Sequence, residues 1–131
     1  MAPVIAVVDD SHSVRKAVIR LLRAAGHAAC GFASGSEFLQ LRQTSRIRCL
    51  ILDVEMPGFS GIDLQRELNR RQAGIPVIIM TARDSPSMRE ECARLGALAF
   101  LSKPMDILCL LDAVAVALQS KTHPLLDSLA S

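Results

Sequence analysis

Three acids, a threonine and a lysine carry the chemical interest of this chain. They are Asp9 and Asp10 in VVDD, Asp53 in LILDVEMPGFSG, Thr81 in IIMTA and Lys103 in FLSKP. Each stands at or just past the end of a short apolar run. Carboxylates brought close together repel, which raises some of their pKa values unless a cation neutralises them. Oxygen ligands without a neighbouring His or Cys favour Mg²⁺ (or Mn²⁺), a hard cation that needs only one or two carboxylates. With a lysine beside them, such acids suit phosphoryl transfer: cation and ammonium hold phosphoryl oxygens while one carboxylate attacks in line. An isolated Asp-Asp pair is ordinarily a solvated turn. The ordered set, each member delivered by an apolar run, outweighs that plain reading.

Such a set functions only if the elements converge. Val4 to Val8 is a β-branched run without polar alternation, as in a strand buried on both faces. From Ser11 or His12 to Ala25, the residues Val14, Val18, Leu21, Leu22 and Ala25 recur at helical spacing and Gly26 stops the helix. Arg15, Lys16, Arg20 and Arg23 then form a basic outer side, ordinarily a solvated face and otherwise a means of steering an acidic partner. His27 to Phe32 is a weaker strand. Ser34 and Glu37 form a capping-box signature for a helix carrying Phe38, Leu39 and Leu41.

Ile47 to Leu52 is the third strand and delivers Asp53 into a Pro57-Gly58 turn; Ser60 or Gly61 opens a helix holding Ile62, Leu64 and Leu68 and ending near Ala73-Gly74. Pro76 opens the fourth strand, Val77 to Met80. Ser85-Pro86 starts a helix with Met88, Cys92 and Leu95 inward, and Gly96 ends it. Leu98 to Leu101 is the fifth strand, and a last helix runs from Met105 to about Gln119. Alternating strands and helices predict an α/β fold whose parallel sheet is covered on both faces, with all five residues at its carboxyl edge.

The 131 residues suit one domain and half are hydrophobic, which excludes a disordered chain. A net charge of +2, from 15 basic and 13 acidic residues, gives no case for direct nucleic-acid binding by the whole surface. No apolar run reaches the ~18 residues of a membrane span, and MAPVIAVVDD is not a signal peptide. Cys30, Cys49, Cys92 and Cys109 form no CxxC pair, so they read as reduced thiols of a cytoplasmic protein.

The ordered motifs resemble the receiver domain of bacterial two-component response regulators: DD, DVEMPGFSG, Thr81-Ala82 and Lys103-Pro104, over about residues 4 to 119. The MPGFSG segment and the Thr81-to-Lys103 spacing look most like the FixJ-type group. The resemblance implies a flavodoxin-like doubly wound (βα)5 three-layer sandwich, with a five-stranded parallel sheet in the order 2-1-3-4-5. It implies a receiver domain over 1–120 and a tail or linker start over 121–131. It implies that Asp53 accepts a phosphoryl group from the phosphohistidine of a sensor histidine kinase or histidine phosphotransfer protein. Asp10 and Asp53 would ligate Mg²⁺ (or Mn²⁺) directly, Asp9 through a metal-bound water, and Glu55 through its backbone carbonyl. Lys103 would contact the phosphoryl group, Thr81 would swing towards it, and Phe100 would turn inward as the switch.

Two charged residues beside this set, Glu55 and Arg83, are expected to pair across the mouth and modulate access. His12 is expected in the first helical turn, on the surface. In the last helix Ile107, Leu110, Leu111, Val114 and Leu118 are expected on the sheet. Met105, Leu108, Cys109 and Val116 fall to the side or opposite, and a helix apolar all round implies a homodimer or output partner there. Such a protein is a signalling switch, not a metabolic enzyme. One alternative is an aspartate-nucleophile phosphohydrolase, for which Glu55 supplies the DxE spacing but no further acidic motif follows. Another concerns output: KTHPLLDSLAS contains no helix-turn-helix segment, so the chain is either a stand-alone receiver or the front of a DNA-binding transcriptional regulator.

Overall fold

The computed structural model describes residues 3–41, 46–56 and 58–119. Five strands and five helices alternate: β1 Val4–Val8, α1 His12–Ala24, β2 Ala28–Phe32, α2 Gly35–Leu39, β3 Ile47–Asp53, α3 Gly61–Arg70, β4 Val77–Thr81, α4 Pro86–Arg94, β5 Ala99–Ser102 and α5 Ile107–Gln119. The strands form one sheet in the order β2-β1-β3-β4-β5, and each adjacent pair is parallel. This is the doubly wound three-layer sandwich expected. The Pro57 half of the predicted turn and the tail beyond Gln119 lie outside the described residues.

Alternation along the strands sorts the core into two halves. Ala6, Val8, Leu50, Leu52 and Ile79 face Phe38, Leu64, Leu68 and Cys92 of α2, α3 and α4. Ile5, Val7, Cys49, Ile51, Ile78 and Met80 face Val18, Leu22, Leu110 and Val114 of α1 and α5. The central strands are apolar on both sides because both sides are covered. Cys49 is fully buried, and burial pushes its thiol up to about 12. The four cysteines are free thiols.

Serines cap four helices, each side chain accepting an N–H three residues on: Ser11 from Val14, Ser34 from Glu37, Ser60 from Asp63 and Ser85 from Met88. At the start of α5 the Asp106 carboxylate accepts from the N–H of Leu108 at 2.8 Å and, more weakly, from that of Cys109 at 3.4 Å. Two details depart from expectation. The Glu37 carboxylate accepts from the N–H of Ala33 at 3.4 Å, so the Ser34 box is incomplete. The complete box is Ser60 with Asp63, in which each side chain accepts the other residue's N–H.

Boundaries differ where capping chemistry overrides periodicity. Leu41 lies past α2, whose C-cap is Gln40. Helix α3 stops at Arg70, ahead of Ala73-Gly74, because Gln72 takes a positive φ of 55°. In α5, Ile107 is 48% exposed and not on the sheet; the buried stripe is Leu110, Val114 and Ala117. Met105, predicted to lie aside, packs against the α1–α5 half of the core. Leu108 and Val116 are exposed, at 71% and 54%. Among the described residues no helix is long and apolar enough to cross a membrane.

Gly61 fixes how closely α3 approaches the end of β3. A Cβ there would lie 2.5 Å from the backbone oxygen of Asp53 and 2.7 Å from the Cα of Val54. Both are main-chain atoms, so relief requires separating helix from strand. Gly61→Ala is therefore expected to destabilise the fold by about 2–3 kcal/mol. Urea unfolding should show this as a lower midpoint at unchanged slope.

Candidate functional site

Strand register brings the acids together. Val8 pairs with Leu52, so the residues that follow, Asp9 and Asp53, leave the sheet side by side. Asp53 is itself level with Met80, and Thr81 with Ser102, which sets Lys103 one residue past the edge of β5. A backbone bond of 2.7 Å from the N–H of Lys103 to the carbonyl of Thr81 holds the last two loops together. The predicted Asp9, Asp10, Asp53, Thr81 and Lys103 thus lie along one rim.

Asp9, Asp53 and Thr81 are buried, and Asp10 is exposed. One carboxylate oxygen from each of Asp9, Asp10 and Asp53 lies within 4.8 Å of the others. Lys103 Nζ is 3.1 Å from Asp9 Oδ2 and 3.5 Å from Asp53 Oδ2. The remaining oxygens have main-chain donors: Ser11 N–H to Asp9 Oδ1 at 2.9 Å, and Glu55 N–H to Asp53 Oδ1 at 3.0 Å. Burial raises the Asp53 carboxyl above its ordinary value. The Glu55 N–H opposes that rise, the Asp9 charge adds to it, and Lys103 pulls it back. For Lys103, burial favours the neutral amine, but the Asp9 and Asp53 carboxylates outweigh it and raise its pKa.

One ammonium against three acids leaves negative charge uncompensated. The hard oxygen donor set and the raised Asp53 carboxyl both fit a divalent cation of the Mg²⁺ type.

Glu55 and Arg83 do come together, with Arg83 Nε 3.4 Å from Glu55 Oε2, but Arg83 is 89% exposed and such a pair contributes little. The stronger partners of Glu55 were not foreseen. Its Oε1 accepts from the Thr81 hydroxyl at 2.6 Å and from the N–H groups of Ala82 and Arg83 at 2.8 and 2.9 Å. The Thr81 hydroxyl, foremost, and then these N–H groups hold the Glu55 carboxyl below the usual carboxylate range. Its side chain is therefore committed to the β4–α4 turn, unlike a second acid that would serve a phosphohydrolase's DxE pair.

Arg15, predicted on a solvated outer side, is half-buried and donates to the carbonyl of Asp9 at 2.7 Å. It also donates to exposed His12 Nδ1 at 3.1 Å, and Arg23 donates to the carbonyl of Ala29 at 2.9 Å. Arg15 thus leaves the basic stripe, while Lys16, Arg20 and Arg23 stay exposed. No local signal marks Arg15, because its acceptor is a main-chain atom exposed by the turn after β1. Phe100 is half-buried on β5, with the Arg89 guanidinium 4.7 Å from its ring centroid. Asp84 accepts twice from Arg89 and once from the Ser102 hydroxyl, each at 2.7 Å. Arg89 first, then Ser102, lowers the Asp84 carboxyl to about 2.

The family model described as response regulator receiver domain matches residues 5–115. Nodulation protein W of Bradyrhizobium diazoefficiens is 40% identical over 114 residues, 87% of this chain and 50% of that protein. Transcriptional regulatory protein FixJ of Azorhizobium caulinodans is 38% identical over 112 residues, 86% and 53% of the two chains. The chain spans about half the length of these curated relatives. The crystal structure of a response regulator receiver protein from Burkholderia phymatum superposes with a TM-score of 0.78 at 42% identity, covering 92% of this chain and 98% of that one.

Proposed function

The chain belongs to the response regulator receiver domain family, and from that premise we propose that it is a phosphoacceptor switch whose acceptor is Asp53. The observation that carries this is the buried Asp53 carboxylate, facing Lys103 and within 4.8 Å of oxygens of Asp9 and Asp10. Asp53 Oδ1 accepts the Glu55 N–H, while Oδ2 faces Lys103 Nζ at 3.5 Å. That leaves Oδ2 as the nucleophile. It attacks phosphorus in line, forming an O–P bond as the N–P bond of a phosphohistidine breaks. The donor is a sensor histidine kinase or a histidine phosphotransfer protein, which sets the protein in the cytoplasm.

Asp10 and Asp53 would hold Mg²⁺ (or Mn²⁺) directly, with the Glu55 carbonyl, and Asp9 would act through a bound water. When present, the cation supplies positive charge opposite the phosphoryl oxygens. Lys103 moves from the Asp9–Asp53 pair towards the new phosphoryl oxygens. Thr81 donates to one of them, which draws its turn inward and empties space that Phe100 then fills. Phe100 begins under the Arg89 guanidinium, so its movement alters α4 and β5 together.

Output then goes through α4, β5 and α5, where exposed Leu98, Ile107, Leu108 and Val116 provide apolar area for a partner or a second copy. A DNA-binding output domain attached to such a switch is the second reading; relatives about twice as long, one of them named a transcriptional regulatory protein, support it. Incubation with acetyl phosphate and Mg²⁺ tests the proposal. One phosphoryl group per chain is expected, labile to hydroxylamine as an acyl phosphate is. Sustained turnover of a free phosphate monoester would overturn it in favour of a phosphohydrolase.

A further inference from the structure

Glu55 is anchored at two places that serve different events. Its backbone N–H binds Asp53 Oδ1 at 3.0 Å. Its carboxylate crosses to the β4–α4 turn, where the Thr81 hydroxyl and the N–H groups of Ala82 and Arg83 converge on Oε1 at 2.6, 2.8 and 2.9 Å. Successive N–H groups with a hydroxyl beside them make an anion-binding turn. Here it is filled by a side chain of the same protein.

The Thr81 hydroxyl has a single proton. Its oxygen also accepts the Arg83 N–H at 3.0 Å, and the residue is fully buried, so water does not offer an alternative partner. While that proton serves Glu55 it cannot serve an anion on Asp53. We propose that Glu55 is a positioning residue that competes with the phosphoryl group for the Thr81 hydroxyl proton. The competition rests on Asp53 being the phosphoacceptor. It has two parts. An unphosphorylated chain keeps its turn ordered by Glu55, and a phosphoryl group must displace a carboxylate held by three donors and repelled by the new charge. Arg83 Nε, 3.4 Å from Glu55 Oε2, remains free to follow the displaced carboxylate.

The latched population cannot donate to the anion, so the apparent affinity for a phosphoryl mimic falls with the unlatched fraction. The test uses the full chain as wild type, Glu55→Ala and Glu55→Gln, the last keeping an acceptor without the charge. Amide hydrogen exchange at Ala82 and Arg83 is measured without Mg²⁺, and beryllofluoride with Mg²⁺ is then titrated by ¹⁹F NMR. Expected in Glu55→Ala are faster exchange at both amides and beryllofluoride binding about tenfold tighter, with Glu55→Gln between. Unchanged exchange would overturn the latch. Faster exchange with equal or weaker beryllofluoride binding would overturn the competition alone. If none of the three proteins binds beryllofluoride, the phosphoacceptor reading fails and the competition fails with it.

Discussion

Asp53→Asn is expected to abolish Mg²⁺-dependent labelling by acetyl phosphate, leaving less than about one part in a thousand of the wild-type rate. Removing an essential nucleophile typically costs at least that factor. The replacement is nearly isosteric. Asn keeps an oxygen for the Glu55 N–H at 3.0 Å, so the loop should hold its shape and the loss should be chemical. With that oxygen on the Glu55 N–H, the amide nitrogen faces Lys103 in place of Oδ2, and it forms no acyl phosphate. Asp9 and Asp10 remain in place, so residual labelling at either would be visible by peptide mapping. Persistent labelling at position 53 would sink the reading.

The same substitution separates function from stability. Burial, and then Asp9, raise the Asp53 carboxyl, with the Glu55 N–H and Lys103 opposing them. A carboxyl raised in the folded state binds its proton more tightly there than in the unfolded chain. Its ionisation therefore costs stability above the folded pKa, and that cost disappears as pH falls through the folded pKa towards the unfolded one. At neutral pH the cost is present, and Asn removes it. Asp53→Asn should thus melt higher than wild type without Mg²⁺ while being inert to phosphoryl donors.

The rim was legible in the sequence because strands impose their geometry. Asp9, Asp53 and Thr81 sit at or just after apolar runs, and a parallel sheet brings such ends to one side whatever the helices do. Long side chains on the loops obey no such rule. Glu55 had opposite charge in Arg83 within view, yet its carboxylate took a hydroxyl and two main-chain N–H groups brought near by a strand 26 residues away. Hydrogen bonds to a charged group outweigh an exposed ion pair, and which donors are near is a tertiary fact. Arg15 left the solvated face of α1 for a carbonyl for the same reason. In α5 the difficulty was contrast: with ILCLLDAVAVALQ apolar nearly all round, the large Ile107 looked inward while the small Ala117 is what lies against the sheet. Close approach selects the small residue, and periodicity does not weigh size.

Lys103→Met is expected to cost about 3 kcal/mol of stability at neutral pH without divalent cations, roughly 10 °C in melting temperature for a chain of this size. The ammonium lies 3.1 Å from Asp9 and 3.5 Å from Asp53. Its side chain is 20% exposed and theirs are nearly inaccessible, so water replaces little of what is lost. The Lys103 pKa is raised in the fold, so its contribution is fully present below the unfolded lysine pKa and vanishes only as pH rises through the folded value. At pH 7 the whole contribution is at stake. Without Lys103 the acids repel unchecked, which identifies the cause through two reversals. Acidification through the raised Asp53 pKa should recover stability in the variant more than in the wild type. Millimolar Mg²⁺ should do the same, because a cation that binds only the folded acids stabilises by linkage. A variant whose melting deficit ignores both pH and Mg²⁺ would show that Lys103 acts by packing its stem, and the charge account of the rim would have to be abandoned.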